Sequence, residues 1–279
     1  MKNEETLMKA VDYSAGQCSA AYSVLGEIVN ILGEYSEDML LIGGWVPALL
    51  FPEREHIGSI DVDILLNQNK IKSSEGHYLT IRKILERHGY SRRPDQYFTY
   101  TKTVVVDGVD YDVDVDFLSG KYGGDGGKVS KHVDGLKTLP ATGGNFAFEL
   151  PPADIRIEYT REDGSLDFGH VKVISILPYL VMKAAALGRG KPKDAYDIYF
   201  TIKNYEGGVR ALTKEFLPFK DKPLVRDMVQ KLDEKFMSPD HSGPGDIALF
   251  LDTPDGEDTD MLKQDAYQTV HYLVMSLGG

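Results

Sequence analysis

Cysteine is almost absent from this chain: Cys18 is the only one. That excludes an internal disulfide framework, a Cys-x-x-Cys redox pair and a thiolate zinc cluster, and it makes a reducing cytoplasm the expected setting. Long apolar runs are missing too. The longest, residues 171–187, is interrupted by Lys172, Pro178 and Lys183 and is too short to span a bilayer, so no membrane partner is expected. Glu4 and Glu5 stand where a signal peptide would be basic, and no apolar segment follows them. Basic charge is scarce as well. The 31 Lys and Arg against 43 Asp and Glu leave a net charge of −12, which excludes a general nucleic-acid coat held by counterion release; any basic surface must be local.

What is present suits a globular chain. With 42% hydrophobic and 27% charged residues in 279, it is too apolar for disorder and can bury a sizeable core. Helical spacing runs from about residue 5 to 32, with Cys18 on its apolar face and Gly33 placed as a C-cap. Residues 39–42 read as a strand, Gly43-Gly44 as a turn and residues 45–51 as a short helix. Residues 60–66 alternate as a strand with one apolar and one acidic face. A helix is expected over 75–88. Two strands, 97–106 and 109–118, are joined by Asp107-Gly108, the strongest short hairpin signal. Residues 119–144 read as loop with a short strand, and 155–159 and 171–174 as further strands. From Ser175 onward the pattern is helical: 176–187, 194–203, 209–216, 224–236 and 261–277, with Gly243 to Gly245 in a loop. The expected class is α+β: a mixed-sheet domain over 1–170 and a helical domain over 171–279.

The chemistry-bearing segment is Leu41-Ile42-Gly43-Gly44-Trp45, followed sixteen residues later by Asp61-Val62-Asp63. The strand period of two puts Asp61 and Asp63 on one face. Adjacent carboxylates repel unless a cation sits between them, and hard oxygen donors of this kind suit Mg²⁺, which takes one or two protein carboxylates and fills its shell with water and phosphate oxygens. A glycine turn at a helix start exposes backbone N–H groups to an anion such as phosphate. Alone, an Asp-Val-Asp is a solvated strand face and a Gly-Gly an ordinary turn; their order and spacing make the pair specific.

At these residues the chain resembles the nucleotidyltransferase superfamily that includes DNA polymerase β. That pattern has a Gly-Gly or Gly-Ser turn, a strand with Asp-x-Asp, and a third carboxylate on a later strand. Tyr111-Asp112-Val113-Asp114-Val115-Asp116-Phe117-Leu118 supplies the third, with Asp116 the better match and Asp114 the reserve. Leu180 to Arg189, with Lys183 in an apolar helix, and Lys193-Asp194-Ala195-Tyr196-Asp197 resemble the AbiEii type, the toxin of type IV toxin–antitoxin pairs linked to phage defence. The resemblance implies an NTP substrate, Mg²⁺ or Mn²⁺ on Asp61, Asp63 and Asp116, Lys183 on the nucleotide phosphates, Asp194 or Asp197 ordering the site, and a cognate antitoxin. Gly43, Gly44 and Ser59 are the remaining nucleotide-binding candidates. One departure stands out. The family has Arg-x-Thr-x-Asp-x-Asp, whereas here Ile57 takes the arginine position and Ser59 the threonine, so Arg54 or His56 would have to substitute.

The expected reaction is transfer of NMP from an NTP to a hydroxyl, on RNA such as a tRNA end. Residues 168–193 contain no acid and carry Lys172, Lys183, Arg189, Lys191 and Lys193, a local +5 in which Arg189, Lys191 and Lys193 are candidate RNA contacts. A small-molecule acceptor such as an aminoglycoside, or a non-catalytic nucleotide or partner binder, are the competing readings. Gly123 to Lys128 fails as a P-loop, since Tyr122 takes the first glycine position and Val129 the Ser/Thr position. The seven histidines show no pair at metal-ligand spacing.

Overall fold

The computed structural model describes residues 7–67, 70, 77–121, 132–133 and 136–279. The Gly123 to Lys128 segment lies outside them. The chain divides into two compact units. An α/β unit holds residues 14–52 and 58–179; a helical unit holds 180–279 together with 1–13 and 53–57. The chain therefore passes from one to the other at 179/180, and two short early segments belong with the late helices.

In the α/β unit, α1 (Ala15–Ile31) is N-capped by Ser14, whose hydroxyl accepts from Gln17 N at 3.2 Å. The expectation of a helix from about residue 5 is met in part. A 3₁₀ turn, Ala10–Asp12, precedes α1, and Gly33 opens a second one, Gly33–Asp38, rather than capping in the left-handed conformation. The strands are β1 (Met39–Ile42), β2 (Val62–Leu66), β3 (Ser91–Arg92), β4 (Thr99–Val106), β5 (Val109–Gly120), β6 (His132–Val133), β7 (Leu136–Lys137), β8 (Leu139–Ala141), β9 (Ala153–Thr160) and β10 (Leu166–Val173). α2 (Trp45–Leu50), α3 (His77–Arg87) and α4 (Gly144–Ala147) lie between them.

The main sheet runs β3-β4-β5-β2-β1-β10-β9, with β8 also on β5. It is mixed, as expected: β1–β10, β2–β5 and β5–β8 are parallel, the others antiparallel. At the β4–β5 turn Asp107 and Gly108 both have positive φ, 52° and 79°, the backbone a two-residue primed hairpin needs. α1 packs on the sheet at β4, β5, β9 and β10 and buries Ala20, Ala21, Val24, Leu25 and Ile28. At roughly 25 cal/mol per Å², Val24, Leu25 and Ile28 each contribute about 1.5–3 kcal/mol.

The helical unit contains the later part of α5 (Ile176–Ala186), then α6 (Pro192–Asn204), α7 (Gly208–Phe216), α8 (Pro223–Lys235), α9 (Ser242–Leu251) and α10 (Glu257–Leu277). Five of these match the sequence expectation. α9 corrects it: Gly243, Pro244 and Gly245 form its first turn. Proline is tolerated there because its missing N–H has no intrahelical partner to lose. A Cβ on Gly243 would lie 2.6 Å from Lys235 O, so this glycine serves close packing and not a loop. Phe216, Phe236, Phe250 and Leu273 are fully buried in this unit. No helix among the described residues is long and apolar enough to cross a membrane.

Candidate functional site

The carboxylates of the α/β unit are placed by strand register. β2 and β5 run parallel with Asp63 opposite Asp116, so both side chains leave the sheet on the same face from adjacent strands, roughly 4.8 Å apart along the hydrogen-bonding direction. Val62 and Ile64 on β2, and Val115 and Phe117 on β5, are buried on the other face, while the two aspartates are half-buried. Asp61 sits one residue before β2. Trp45 Nε1 donates to its carbonyl at 3.0 Å, and the buried Ser59 hydroxyl donates to its carboxylate. Trp45 itself is 6% exposed and packs on Tyr22, with ring centroids 5.2 Å apart, so it supports the turn from below.

Gly43 explains the glycine turn. It follows β1, whose Ile42 pairs with Asp63, and adopts φ +77°, a conformation that disfavours any side chain. A Cβ there would lie 1.8 Å from Asp63 Oδ2. The turn is thus glycine because the Asp63 carboxylate lies against it. Gly44, at φ −72°, is the N-cap of the six-residue α2.

Asp116 and Asp114 are separated by their partners. Thr99, Thr101 and Thr103 of β4 lie opposite Asp116, Asp114 and Asp112, and each hydroxyl donates to the carboxylate facing it, at 2.6, 2.5 and 2.6 Å. Asp114 also receives Arg93 Nη1 at 2.9 Å, and Arg93 bridges on to Asp95. Asp114 is thereby charge-neutralised, one rung away from Asp63. Asp116 is the carboxylate beside Asp63.

Among the described residues, no group of three or more His, Cys, Asp or Glu side chains is assembled to hold a metal ion. The donor set nevertheless fits Mg²⁺ or Mn²⁺ chemically: hard carboxylate oxygens on neighbouring strands beside a glycine cradle, the one or two protein ligands that Mg²⁺ uses.

Lys183, Asp194 and Asp197 belong to the helical unit, where they form a buried ion cluster. Lys183 Nζ reaches Asp194 at 2.9 Å and Asp197 at 2.7 Å; Lys193 Nζ reaches Asp197 at 2.9 Å, and Arg189 reaches Asp194 at 3.1 Å. The i, i+3 spacing at the start of α6 puts both carboxylates on one side of the helix. Burial alone would raise the Asp194 carboxyl, but Lys183 and Arg189 outweigh it and hold it below the usual carboxylate range. For Asp197, burial likewise acts upward and is overcome by Lys183, Lys193 and His56, which hold it far below that range.

His56 completes the cluster. Its Nε2 meets Asp197 Oδ1 at 3.0 Å, and its ring stacks on Tyr196 at 5.4 Å and edges Phe200 at 4.7 Å. Burial lowers its pKa despite the carboxylate. In sequence, His56 figures only as a stand-in for the family's arginine. Its role beside Asp197, 141 residues away, has no local signature.

The basic strip is mostly spent on ion pairs. Lys172 meets Glu37 at 2.5 Å, and Lys183, Lys193 and Arg189 meet the two cluster aspartates. Lys193 also lies over the Tyr13 ring at 5.6 Å, with only 11% of its side chain exposed. Lys191 and the Arg189 side chain are exposed. The local +5 of the sequence is therefore largely neutralised in the fold.

No family model, no curated protein and no solved structure matches the chain. Its function rests on the site alone.

Proposed function

We propose that the chain is a divalent-metal-dependent nucleotidyltransferase that moves NMP from an NTP to a hydroxyl acceptor, in the manner of AbiEii-type toxins, with RNA such as a tRNA end as the acceptor. The observation that carries this is the register of Asp63 and Asp116 on adjacent parallel strands, with Gly43 held against Asp63. When bound to those carboxylates, Mg²⁺ or Mn²⁺ would neutralise phosphate charge and lower the pKa of the attacking hydroxyl. The chain's own part is positioning. Asp63 and Asp116 supply fixed negative charge, Ser59 holds Asp61, and Gly43 leaves room for the Asp63 carboxylate. Lys183 of α5, paired with Asp194 and Asp197, holds the start of α6.

Incubation with each labelled NTP, Mg²⁺ and total RNA is expected to label RNA, and Asp63→Ala or Asp116→Ala to lower the rate on the order of 10³-fold. Absence of label in any RNA rejects the RNA acceptor. A small-molecule acceptor is the second reading. It is favoured by the ion pairing of Lys172, Lys183, Arg189 and Lys193, which leaves little cationic surface for a polyanion. Label appearing in an aminoglycoside and not in RNA selects it. Growth arrest on expression, relieved by a small protein encoded beside this one, tests the toxin and antitoxin parts.

A further inference from the structure

We propose that Thr99 is the positioning residue of Asp116: its hydroxyl, steered by Gln96, sets the orientation of the third carboxylate and through it the affinity for a divalent cation. This rests on the nucleotidyltransferase reading and deepens it by naming the residue that prepares the carboxylate beside Asp63.

Three threonine–aspartate rungs join β4 to β5, and they are not equivalent. The Thr103–Asp112 rung is exposed near the hairpin end. The Thr101–Asp114 rung is capped by Arg93. The Thr99–Asp116 rung is different: Thr99 is fully buried, and its aspartate is the register partner of Asp63. A β-branched side chain on a strand has a stiff χ1, so a buried Thr99 hydroxyl is an anchored donor rather than a roaming one.

Gln96 adds direction. Thr99 N donates to Gln96 O at 3.1 Å, closing a turn just before β4, and Thr99 Oγ1 lies 3.1 Å from Gln96 Oε1. Thr99 has one hydroxyl proton, and the shorter 2.6 Å contact with Asp116 Oδ1 takes it. With that proton on Asp116, two oxygens face each other at Gln96, and turning the amide end for end lets its NH₂ donate to Thr99 Oγ1. In that amide orientation, donation runs Gln96 to Thr99 to Asp116. A ligand carboxylate oriented before the ion arrives gives up less freedom on coordination, the reason groups hydrogen-bonded to metal ligands govern affinity.

The test is Mn²⁺ binding to the full chain, followed by the EPR signal of free Mn²⁺, with a thermal melt on each variant. Thr99→Val is expected to weaken Mn²⁺ binding about 10- to 100-fold. Thr99→Ser, which keeps the hydroxyl, should restore most of it. Thr101→Val removes the identical bond one rung along and should bind as wild type does. Gln96→Ala alters an exposed side chain and should give a smaller loss in the same direction; it decides the matter if Thr99→Val does not fold. Wild-type binding in Thr99→Val or, failing its folding, in Gln96→Ala overturns the proposal, as does an equal loss in Thr99→Val and Thr101→Val. If Asp63→Ala and Asp116→Ala lose Mn²⁺ while Thr99→Val keeps it, this inference alone falls. If wild type binds no Mn²⁺, or the aspartate variants bind it unchanged, the nucleotidyltransferase reading falls with it.

Discussion

In the helical unit, Asp194 and Asp197 are buried and meet the charges of Lys183, Lys193 and Arg189. In the α/β unit, Asp61, Asp63 and Asp116 stay half-buried near one another, and Ser59 and Thr99 donate neutral hydroxyls to two of them. The first arrangement satisfies its own electrostatics: cations compensate desolvation, and removing either partner leaves a buried charge exposed to low dielectric. The second brings Asp63 and Asp116 onto one sheet face from adjacent parallel strands. The cluster's buried carboxylates are held by cations, whereas the sheet-face carboxylates stay partly exposed beside a glycine turn. The same residue type thus serves stability in one unit and, on our reading, chemistry in the other.

That comparison breaks or sharpens under substitution. The largest stability effect is expected from Asp197→Ala, which takes the counter-charge from buried Lys193 and leaves Lys183 with Asp194 alone. It should cost about 3–5 kcal/mol and lower the melting temperature by roughly 10 °C, whereas Asp63→Ala, with its large expected effect on transfer, should leave the melt nearly unchanged. If both variants melt alike, the contrast between the two sets fails.

Next is Gly43→Ala. The positive φ and the collision with Asp63 should together cost about 1–3 kcal/mol, and transfer should fall because the carboxylate must move. Melting and rate measured on the same preparation separate the two.

A third outcome concerns acid. His56 is held neutral by burial, so its folded pKa lies below the ordinary 6.5 while the unfolded side chain protonates near 6.5. Below pH 6.5 the unfolded state binds more protons, and stability falls as pH drops, by up to about 1.4 kcal/mol per unit until the folded pKa is reached. Asp194 and Asp197, with depressed pKa values, lose their contribution only below about pH 4. Melting temperatures from pH 7 to pH 5 should therefore decline in wild type and stay flatter in His56→Gln.

The smallest effect is expected at Asp114→Asn. Its Arg93 pair is partly exposed, so the loss should stay below about 1 kcal/mol, with the transfer rate close to that of wild type. A large rate loss would return the third-carboxylate role to Asp114.

Much of this fold was legible locally. The Asp107-Gly108 hairpin, the alternation around Asp61 and Asp63, and the α+β succession each depend on turn chemistry and side-chain period within a few residues. Gly43 was legible as a turn, though not as the residue that Asp63 lies against. The misread segment, Gly243 to Gly245, failed for a physical reason: glycine breaks helices by propensity, yet here it admits the backbone of α8 at close range.

The sequence by itself determined which residues could carry chemistry, because carboxylates at strand spacing after a glycine turn are encoded side by side. Their partners come from the fold. Register across β2 and β5 set Asp116, and not Asp114, opposite Asp63, and packing around α6 turned a basic strip into ion pairs and brought His56 to Asp197. Those choices depend on partners dozens of residues apart, and a charge does not carry its partner in its neighbours along the chain.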